Sequence, residues 1–189
     1  PRSTLFPYTT LFRSIGITPA DLVWRANAYR DKAIEGIPRR EFGSGVSANV
    51  DAMARLGLLY LRHGVWRGER LLPADFVLAC GTTPAWMQEL PAHDPQAHGN
   101  AAAHYGLLWW NNADGALPAL PRDAFWSWGL HDSLIVVIPS LGIVAARAGQ
   151  SWPRREGEAH YAVLAPFLET IAAATQAAGT PALQPPYPP

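Results

Sequence analysis

The run FWSWGLHDSLIVVIPSLGIVAARAG, residues 125–149, carries the strongest fold signal in the chain. Aromatic and β-branched residues fill it, and PSLG (139–142) supplies the turn residues of a tight hairpin. Residues 135–138 and 143–146 are almost continuously apolar, which predicts two strands that are covered on both faces. Other parts of the chain must therefore pack on each side of this sheet.

Two amphipathic segments can supply these covers. NVDAMARLGLLYLRHG (49–64) has Asn49 as a helix cap, apolar residues at helical spacing and Gly64 at its end. EAHYAVLAPFLETIAAATQ (158–176) places an apolar stripe on one helical face, and Pro166 should start a new helical segment or kink an existing one. With a further strand-like run in HYGLLWWNN, the sequence predicts an α+β fold: an antiparallel sheet flanked by helices.

The remaining segments carry weaker signals. Thr18-Pro19 has the cap-then-proline arrangement of a helix start, and another helix is predicted to open at Pro73. Residues 81–103 are rich in alanine, proline and histidine, which predicts a surface excursion with little core.

Composition excludes several classes of function. The chain has 189 residues, 49% hydrophobic and 16% charged, with no formal net charge, which is typical of one globular domain. No basic run marks a nucleic-acid partner, and no apolar segment approaches the ~20 residues that span a bilayer. The single cysteine, Cys80, cannot form an internal disulfide.

The N-terminal stretch TLFPYTTLFRS, residues 4–14, allows two interpretations. Its aromatic and β-branched residues predict a strand. The same eleven residues are also a one-frame translation of a common short-read sequencing adapter. We therefore interpret 1–14 as adapter-derived and exclude it from fold reasoning. The natural chain is then first visible at Ile15 and is a fragment, with a domain over 15–175 and a proline-rich disordered tail over 176–189.

GLHDS places His131, Asp132 and Ser133 side by side and invites comparison with a catalytic triad. On a strand, His131 and Ser133 would share one face about 6.6 Å apart while Asp132 points to the other. Triads are assembled from distant chain segments, so polar positions at a sheet edge are the preferred interpretation. A contributory role in a larger site stays open.

HDPQAHGNAAAH (93–104) offers His93, Asp94, His98 and His104 as metal ligands. Spacings of five and six residues match no compact zinc pattern, so a solvated loop is the preferred interpretation.

FGSGVS (42–47) superficially resembles a nucleophile elbow. It lacks the G-x-S-x-G spacing, because Gly43 and Gly45 directly flank Ser44, and no strand leads into it. We expect a glycine turn that feeds the following helix.

Three segments in this order resemble the C-terminal part of the serine β-lactamase-like, or penicillin-binding-protein-like, hydrolases. They are FGSGVSANVDAMARLGLLYLRHGVWRGERLLP (42–73), YGLLWW (105–110) and the opening run (125–149). This family includes class C β-lactamases, D-stereospecific peptidases, related esterases and 6-aminohexanoate-dimer hydrolases. The resemblance covers most of residues 15–172.

The resemblance implies acyl transfer on a small-molecule amide or ester substrate, without cofactor or metal. In the family, the serine of Ser-x-x-Lys attacks the carbonyl, a lysine and a tyrosine handle the proton, and backbone N–H groups stabilise the oxyanion. A periplasmic or secreted location is compatible with it.

The third family motif falls on WGLHDS, residues 128–133. The resemblance implies that His131 supplies the basic side chain and that the N–H near Ser133 is an oxyanion donor. Lys-Thr-Gly is absent and no glycine follows the basic residue, so the assignment within Leu130 to Ser133 stays open by a residue or two.

Residues 15–189 contain no Ser-x-x-Lys, and Lys32 is the only lysine. Tyr29-Arg30-Asp31 loosely imitates the family's Tyr-x-Asn but lies too close to the glycine stretch, so Tyr29 is interpreted as a packing aromatic. The fragment is expected to be inactive. Two alternatives remain: a non-catalytic binding or interaction domain of the same fold, and, more weakly, a metal-binding module that uses the histidines of 93–104.

Overall fold

The computed structural model describes residues 7–41, 43–91 and 101–178 and has an α+β architecture. Its helices are α1 (Pro7–Ser14), α2 (Val50–Leu61), α3 (Ala74–Cys80), α4 (Ala85–Gln88), α5 (Ala101–His104) and α6 (Ala165–Ala178). Its strands are β1 (Leu22–Trp24), β2 (Ala33–Ile34), β3 (Ile37–Pro38), β4 (Val46–Ala48), β5 (Val65–Trp66), β6 (Glu69–Arg70), β7 (Trp110–Asn111), β8 (Phe125–Gly129), β9 (Ser133–Ile138) and β10 (Ile143–Arg147).

The main sheet is antiparallel, in the order β10-β9-β8-β7. The predicted hairpin is confirmed, with Ile138 opposite Ile143 and a 3-10 turn at Pro139–Leu141 between the two strands. Gly142 follows this turn at φ 64°, a left-handed conformation that glycine adopts without strain. The turn residues of PSLG therefore fix the register of β9 against β10.

Both faces of the sheet are covered, as the apolar runs predict. Because side chains alternate along β9, Leu134, Val136 and Ile138 belong to one core cluster, and Val137 belongs to another. The first cluster includes Leu164 and Leu168 of the C-terminal segment. The second includes Cys80 of α3 and is lined by side chains of α2. Helices on opposite faces thus sandwich the sheet.

Helix α2 forms where its cap and periodicity predict. The side-chain oxygen of Asn49 accepts the N–H of Ala52 at 2.8 Å, which satisfies an otherwise orphaned helix donor. The helix ends at Leu61, and Gly64 lies just beyond it at φ 82°. Its other face covers a further core cluster that contains Ile15, Ile17 and Leu59 among others.

Prolines mark two further helix starts correctly. Pro73 is the N-cap of α3, and Pro166 lies at the start of α6, so a new helical segment begins there. Helix α6 runs to Ala178, into the first residues of the predicted tail; residues 179–189 lie outside the described residues.

One local prediction is wrong, and one alternative interpretation does not hold. Residues 7–14, which we excluded from fold reasoning, form helix α1 and not the strand that their composition favours, and Leu11 and Phe12 pack against the Ile15 cluster. Thr18-Pro19 starts a turn instead of a helix, because the Asp21 carboxylate accepts both the N–H of Thr18 at 2.9 Å and its hydroxyl at 2.7 Å. Tertiary and turn contacts override propensity at both places.

Within the part of the chain that the structure describes, no helix has the length and apolar character needed to cross a bilayer.

Candidate functional site

The turn between β8 and β9 contains the site residues that the sequence indicates. Strand β8 ends at Gly129, which pairs with Ser133, and Leu130–Asp132 forms one 3-10 turn. His131 (φ 59°) and Asp132 (φ 54°) both have left-handed backbone conformations. The strand predicted through residue 132 is therefore wrong, because strands need negative φ. The expected alternation of these three side chains does not apply.

Asp132 is the buried centre of this turn, with only 2% of its surface exposed. Its Oδ1 accepts the indole N–H of Trp128 at 2.9 Å and Nη2 of Arg154 at 2.6 Å. Its Oδ2 accepts the backbone N–H of Trp152 at 2.8 Å and Nη1 of Arg154 at 3.3 Å. No hydrogen bond among the described residues joins this carboxylate to His131 or Ser133, so the three residues form no local relay.

The side chain of Arg147 binds the backbone of the same turn. From the end of β10, its Nη1 donates to the carbonyl oxygens of His131 at 3.0 Å and Asp132 at 2.7 Å. Its guanidinium carbon lies 3.7 Å from the centre of the Trp152 ring, within the range of cation–π attraction. Residues 147–154 therefore wrap the turn through both charge and stacking.

The two predicted site residues differ in availability. His131 is exposed, and its Nδ1 lies 3.4 Å from the hydroxyl oxygen of Ser151. Ser133 is partly buried, and its backbone N–H donates to the carbonyl of Leu130 inside the turn. The imidazole of His131 can thus meet a ligand directly, whereas the N–H of Ser133 is already engaged.

An aromatic wall, consisting of Trp110, Trp128 and His160, borders the turn. The Trp128 ring centre lies 4.8 Å from that of His160 and 5.8 Å from that of Trp110, and Trp110 and His160 are 5.2 Å apart. All three side chains are half-buried. His160 reaches the wall from the segment before α6, a contact for which the sequence offers no local signal.

The carboxyl of Asp132 has a lowered pKa. Burial on its own raises the pKa, but the hydrogen bonds from Arg154, Trp128 and Trp152 outweigh it and bring the pKa below the ordinary 3.8. Because the folded-state pKa is lower than the unfolded one, the ionised carboxylate stabilises the fold above that ordinary pKa. This stabilisation disappears as the pH falls through the folded-state pKa.

Replacing Asp132 by asparagine should therefore cost stability in a pH-dependent way. We expect the difference in unfolding free energy between the wild type and Asp132→Asn to be constant above about pH 5 and to shrink below about pH 4. Urea unfolding across this range measures it. Glu156→Gln, at an exposed position, is the control and should give a small and flat difference. A difference for Asp132→Asn that does not change with acidification would contradict the assignment.

The glycine stretch before α2 forms the predicted turn, with Gly43 at φ 71° and Gly45 at φ 78°. Phe42 lies outside the described residues. The Ser44 hydroxyl donates to the carboxylate of Glu41 at 2.7 Å, and Glu41 is 2% exposed and paired with Arg25 at 2.7 Å. The Ser44 hydroxyl is thus already hydrogen-bonded to a buried carboxylate, and the serine stabilises the turn. No sequence pattern indicates this role for Glu41.

Two other predicted residues have different surroundings from those expected. Tyr29 is 79% exposed, so its interpretation as a packing aromatic is wrong. Of the proposed metal ligands, His93, Asp94 and His98 lie outside the described residues, and His104 Nδ1 lies 2.9 Å from an oxygen of Asp114. Over the described ranges, no group of three or more histidine, cysteine or acidic side chains converges on a common point.

No family model matches the chain, and no curated protein matches it. Solved structures do. A provisionally named β-lactamase from Bacteroides dorei DSM 17855 superposes with a TM-score of 0.51 over 90% of this chain and 49% of that one, at 13% identity. A provisionally named 6-aminohexanoate-dimer hydrolase from Bacillus anthracis superposes with a TM-score of 0.47 over 75% of this chain and 32% of that one, at 19% identity.

The likeness to the β-lactamase structure indicates the class of fold. The sheet with its flanking helices has the architecture of part of a β-lactamase-like domain, and at such identities the likeness shows the fold alone. The chain spans about half the length of the first of these structures and about a third of the second.

Proposed function

We propose that this chain is the C-terminal part of a serine hydrolase that acts on amide or ester bonds by acyl-enzyme chemistry. The observation that carries the proposal is the β8–β9 hairpin: in a β-lactamase-like sheet, it presents an exposed imidazole at the end of β8. The family resemblance puts the third motif of the active site on this turn. The same resemblance extends to the ordered segments over 42–73 and 105–110, which adds support from outside the hairpin.

The groups that carry out the reaction would come partly from this chain and partly from a separate segment that contains the nucleophilic serine. A serine oxygen forms a bond to the substrate carbonyl carbon, the C–N or C–O bond breaks, and the leaving group takes a proton. Water then releases the acyl group and regenerates the serine. Backbone N–H groups at the sheet edge stabilise the oxyanion in both steps.

Within this chain, His131 is the stronger of the two site assignments. Its side chain is exposed and supplies the basic group beside the substrate. Ser133 would serve as an oxyanion donor only after its N–H leaves the carbonyl of Leu130. The half-buried Trp128, on the strand that precedes the turn, would form the apolar border of the substrate site.

We propose further that residues 4–14 derive from a sequencing adapter and that the domain extends over 15–175. The support for the adapter is the match of eleven consecutive residues. The contacts of Leu11 and Phe12 describe how this stretch folds here and say nothing of its origin.

Because residues 15–189 contain no Ser-x-x-Lys, the chain itself should not hydrolyse substrates of this class. We expect nitrocefin and p-nitrophenyl esters to turn over no faster with the chain than in buffer, measured by absorbance. Turnover above buffer that Ser133→Ala abolishes and Ser140→Ala preserves would overturn the proposal, because it would indicate a local serine nucleophile. Ser140 is the control because it lies exposed at the opposite end of β9.

A further inference from the structure

The turn at Leu130–Asp132 has an unfavourable backbone that something must hold. Two consecutive residues other than glycine, His131 and Asp132, have positive φ values of 59° and 54°. Such conformations persist only where the surrounding structure stabilises them, and they concentrate at functional sites. The contacts that offset this strain are therefore those that place His131.

The Asp132 carboxylate supplies most of these contacts. Each of its oxygens accepts two hydrogen bonds, one from Arg154 and one from a tryptophan N–H, at distances between 2.6 and 3.3 Å. Its donors come from β8 and from the segment after β10, so it links the turn to two separate parts of the chain. Arg147 closes the arrangement by binding the two carbonyl oxygens of the strained residues.

We propose that Asp132 is a positioning residue that holds the turn in its left-handed conformation and thereby presents the His131 imidazole at the sheet edge. What the turn serves rests on the proposed function; the conformational role of Asp132 does not. Asp132 acts through its neighbour, because its buried carboxylate is fully engaged with Trp128, Trp152 and Arg154.

The chemistry of the contacts requires a carboxylate. An asparagine side chain would present one oxygen and one NH2 group, and an NH2 group cannot accept the N–H of Trp152 or the guanidinium of Arg154. At least one oxygen's pair of hydrogen bonds would be lost, and two donors would face each other in a buried site. Asp132→Asn should therefore free the turn while changing almost no volume.

NMR of the labelled full chain tests the proposal. In the wild type we expect the HN–Hα couplings and Cα shifts of His131 and Asp132 to report positive φ, and the Trp128 indole proton to be shifted downfield by its hydrogen bond. In Asp132→Asn, the positive-φ signature of His131 should be lost and the Trp128 proton should move, while the resonances of β9 and β10 persist. A retained signature at His131 in the folded variant would overturn the proposal.

Asp123→Asn is the matched control. The Asp123 carboxylate accepts the N–H of Ser140 at 2.6 Å and its hydroxyl at 2.9 Å, at the other turn of the same sheet. This variant should perturb residues 139–142 and leave His131 unchanged; a loss of the His131 signature here would also contradict a specific role for Asp132.

If Asp132→Asn does not fold, the variant Arg154→Gln tests the positioning role of Asp132 instead. It removes both guanidinium contacts and leaves the two tryptophan donors, and Arg154 is 51% exposed, so the fold should tolerate it. A weakened His131 signature supports the proposal and an unchanged one overturns it. The signature is measured without any hydrolysis, so failure of the positioning role and failure of the proposed function are separate results.

Discussion

Replacing Trp126 by alanine is expected to lower the free energy of unfolding by about 3–5 kcal/mol, the usual cost of removing a buried tryptophan. Trp126 is fully buried in β8, opposite Val136 of β9 and Trp110 of β7. Its ring meets Tyr161 edge-on at 5.1 Å, inside the core cluster that joins the sheet to the C-terminal segment. Alanine would leave a cavity at the centre of that cluster, because backbone hydrogen bonds hold the strands in place.

Urea unfolding measures this loss of stability, and two further variants serve as controls. Trp86→Ala makes the same substitution at a side chain that is 63% exposed and should change stability by no more than about 0.5 kcal/mol. Trp126→Phe keeps an aromatic ring and removes an indole N–H that has no acceptor among the described residues, so it should cost clearly less than alanine. Equal losses for Trp126→Ala and Trp86→Ala would contradict the placement of Trp126 in the core.

Gly57→Leu is expected to destabilise the chain by about 3 kcal/mol, the upper end of the usual range for overpacking. Gly57 is the buried position at which α2 meets the sheet. A Cβ atom there would lie 2.6 Å from Cγ1 of Val144 and 2.9 Å from Cγ2 of Ile135, closer than real Cβ contacts allow. A leucine would extend further and push the helix away from β9 and β10, even though leucine favours helices more than glycine does.

The control for Gly57 adds the same side chain at an exposed helical position. Ala173→Leu, on the outer face of α6, should leave the thermal midpoint almost unchanged, whereas Gly57→Leu should lower it by several degrees. Equal thermal midpoints for the two variants would show that α2 does not pack against the sheet at Gly57.

The sequence predicts those parts of the fold that depend on local signals. Asn49 and the apolar spacing after it locate α2, and the turn residues of 139–142 locate the hairpin and its register. Continuous apolar character in β9 correctly predicts cover on both faces, because each face must exclude water. Each of these features depends on residues that lie close together in the sequence.

The candidate site is less predictable because distant contacts form it. Asp132 accepts its two shortest hydrogen bonds from Arg154, 22 residues along the chain, and from Trp152. These contacts, with Arg147, stabilise a left-handed turn where propensity alone predicts a continued strand. The family resemblance indicates His131 and Ser133 as site residues. The local pattern, by contrast, indicates for Asp132 only a polar position at a sheet edge.

Side-chain contacts also explain the structure of the N-terminal segments. The composition of residues 7–14 favours a strand, but Leu11 and Phe12 bury apolar surface against the Ile15 cluster as parts of a helix. At Thr18, the side chain of Asp21 accepts the backbone N–H and stabilises a turn. The chain enters β1 directly after this turn. Side-chain contacts of this kind cannot be inferred from residue types alone.

The most direct test of the central claim, that this chain is the C-terminal part of a serine hydrolase, is to read the genomic DNA upstream of the codon for Ile15. We expect that the adapter-like residues 4–14 are absent there and that the reading frame encodes a Ser-x-x-Lys followed by a tyrosine motif. A stop codon or an unrelated sequence directly upstream would contradict it and would favour a non-catalytic binding domain of the same fold.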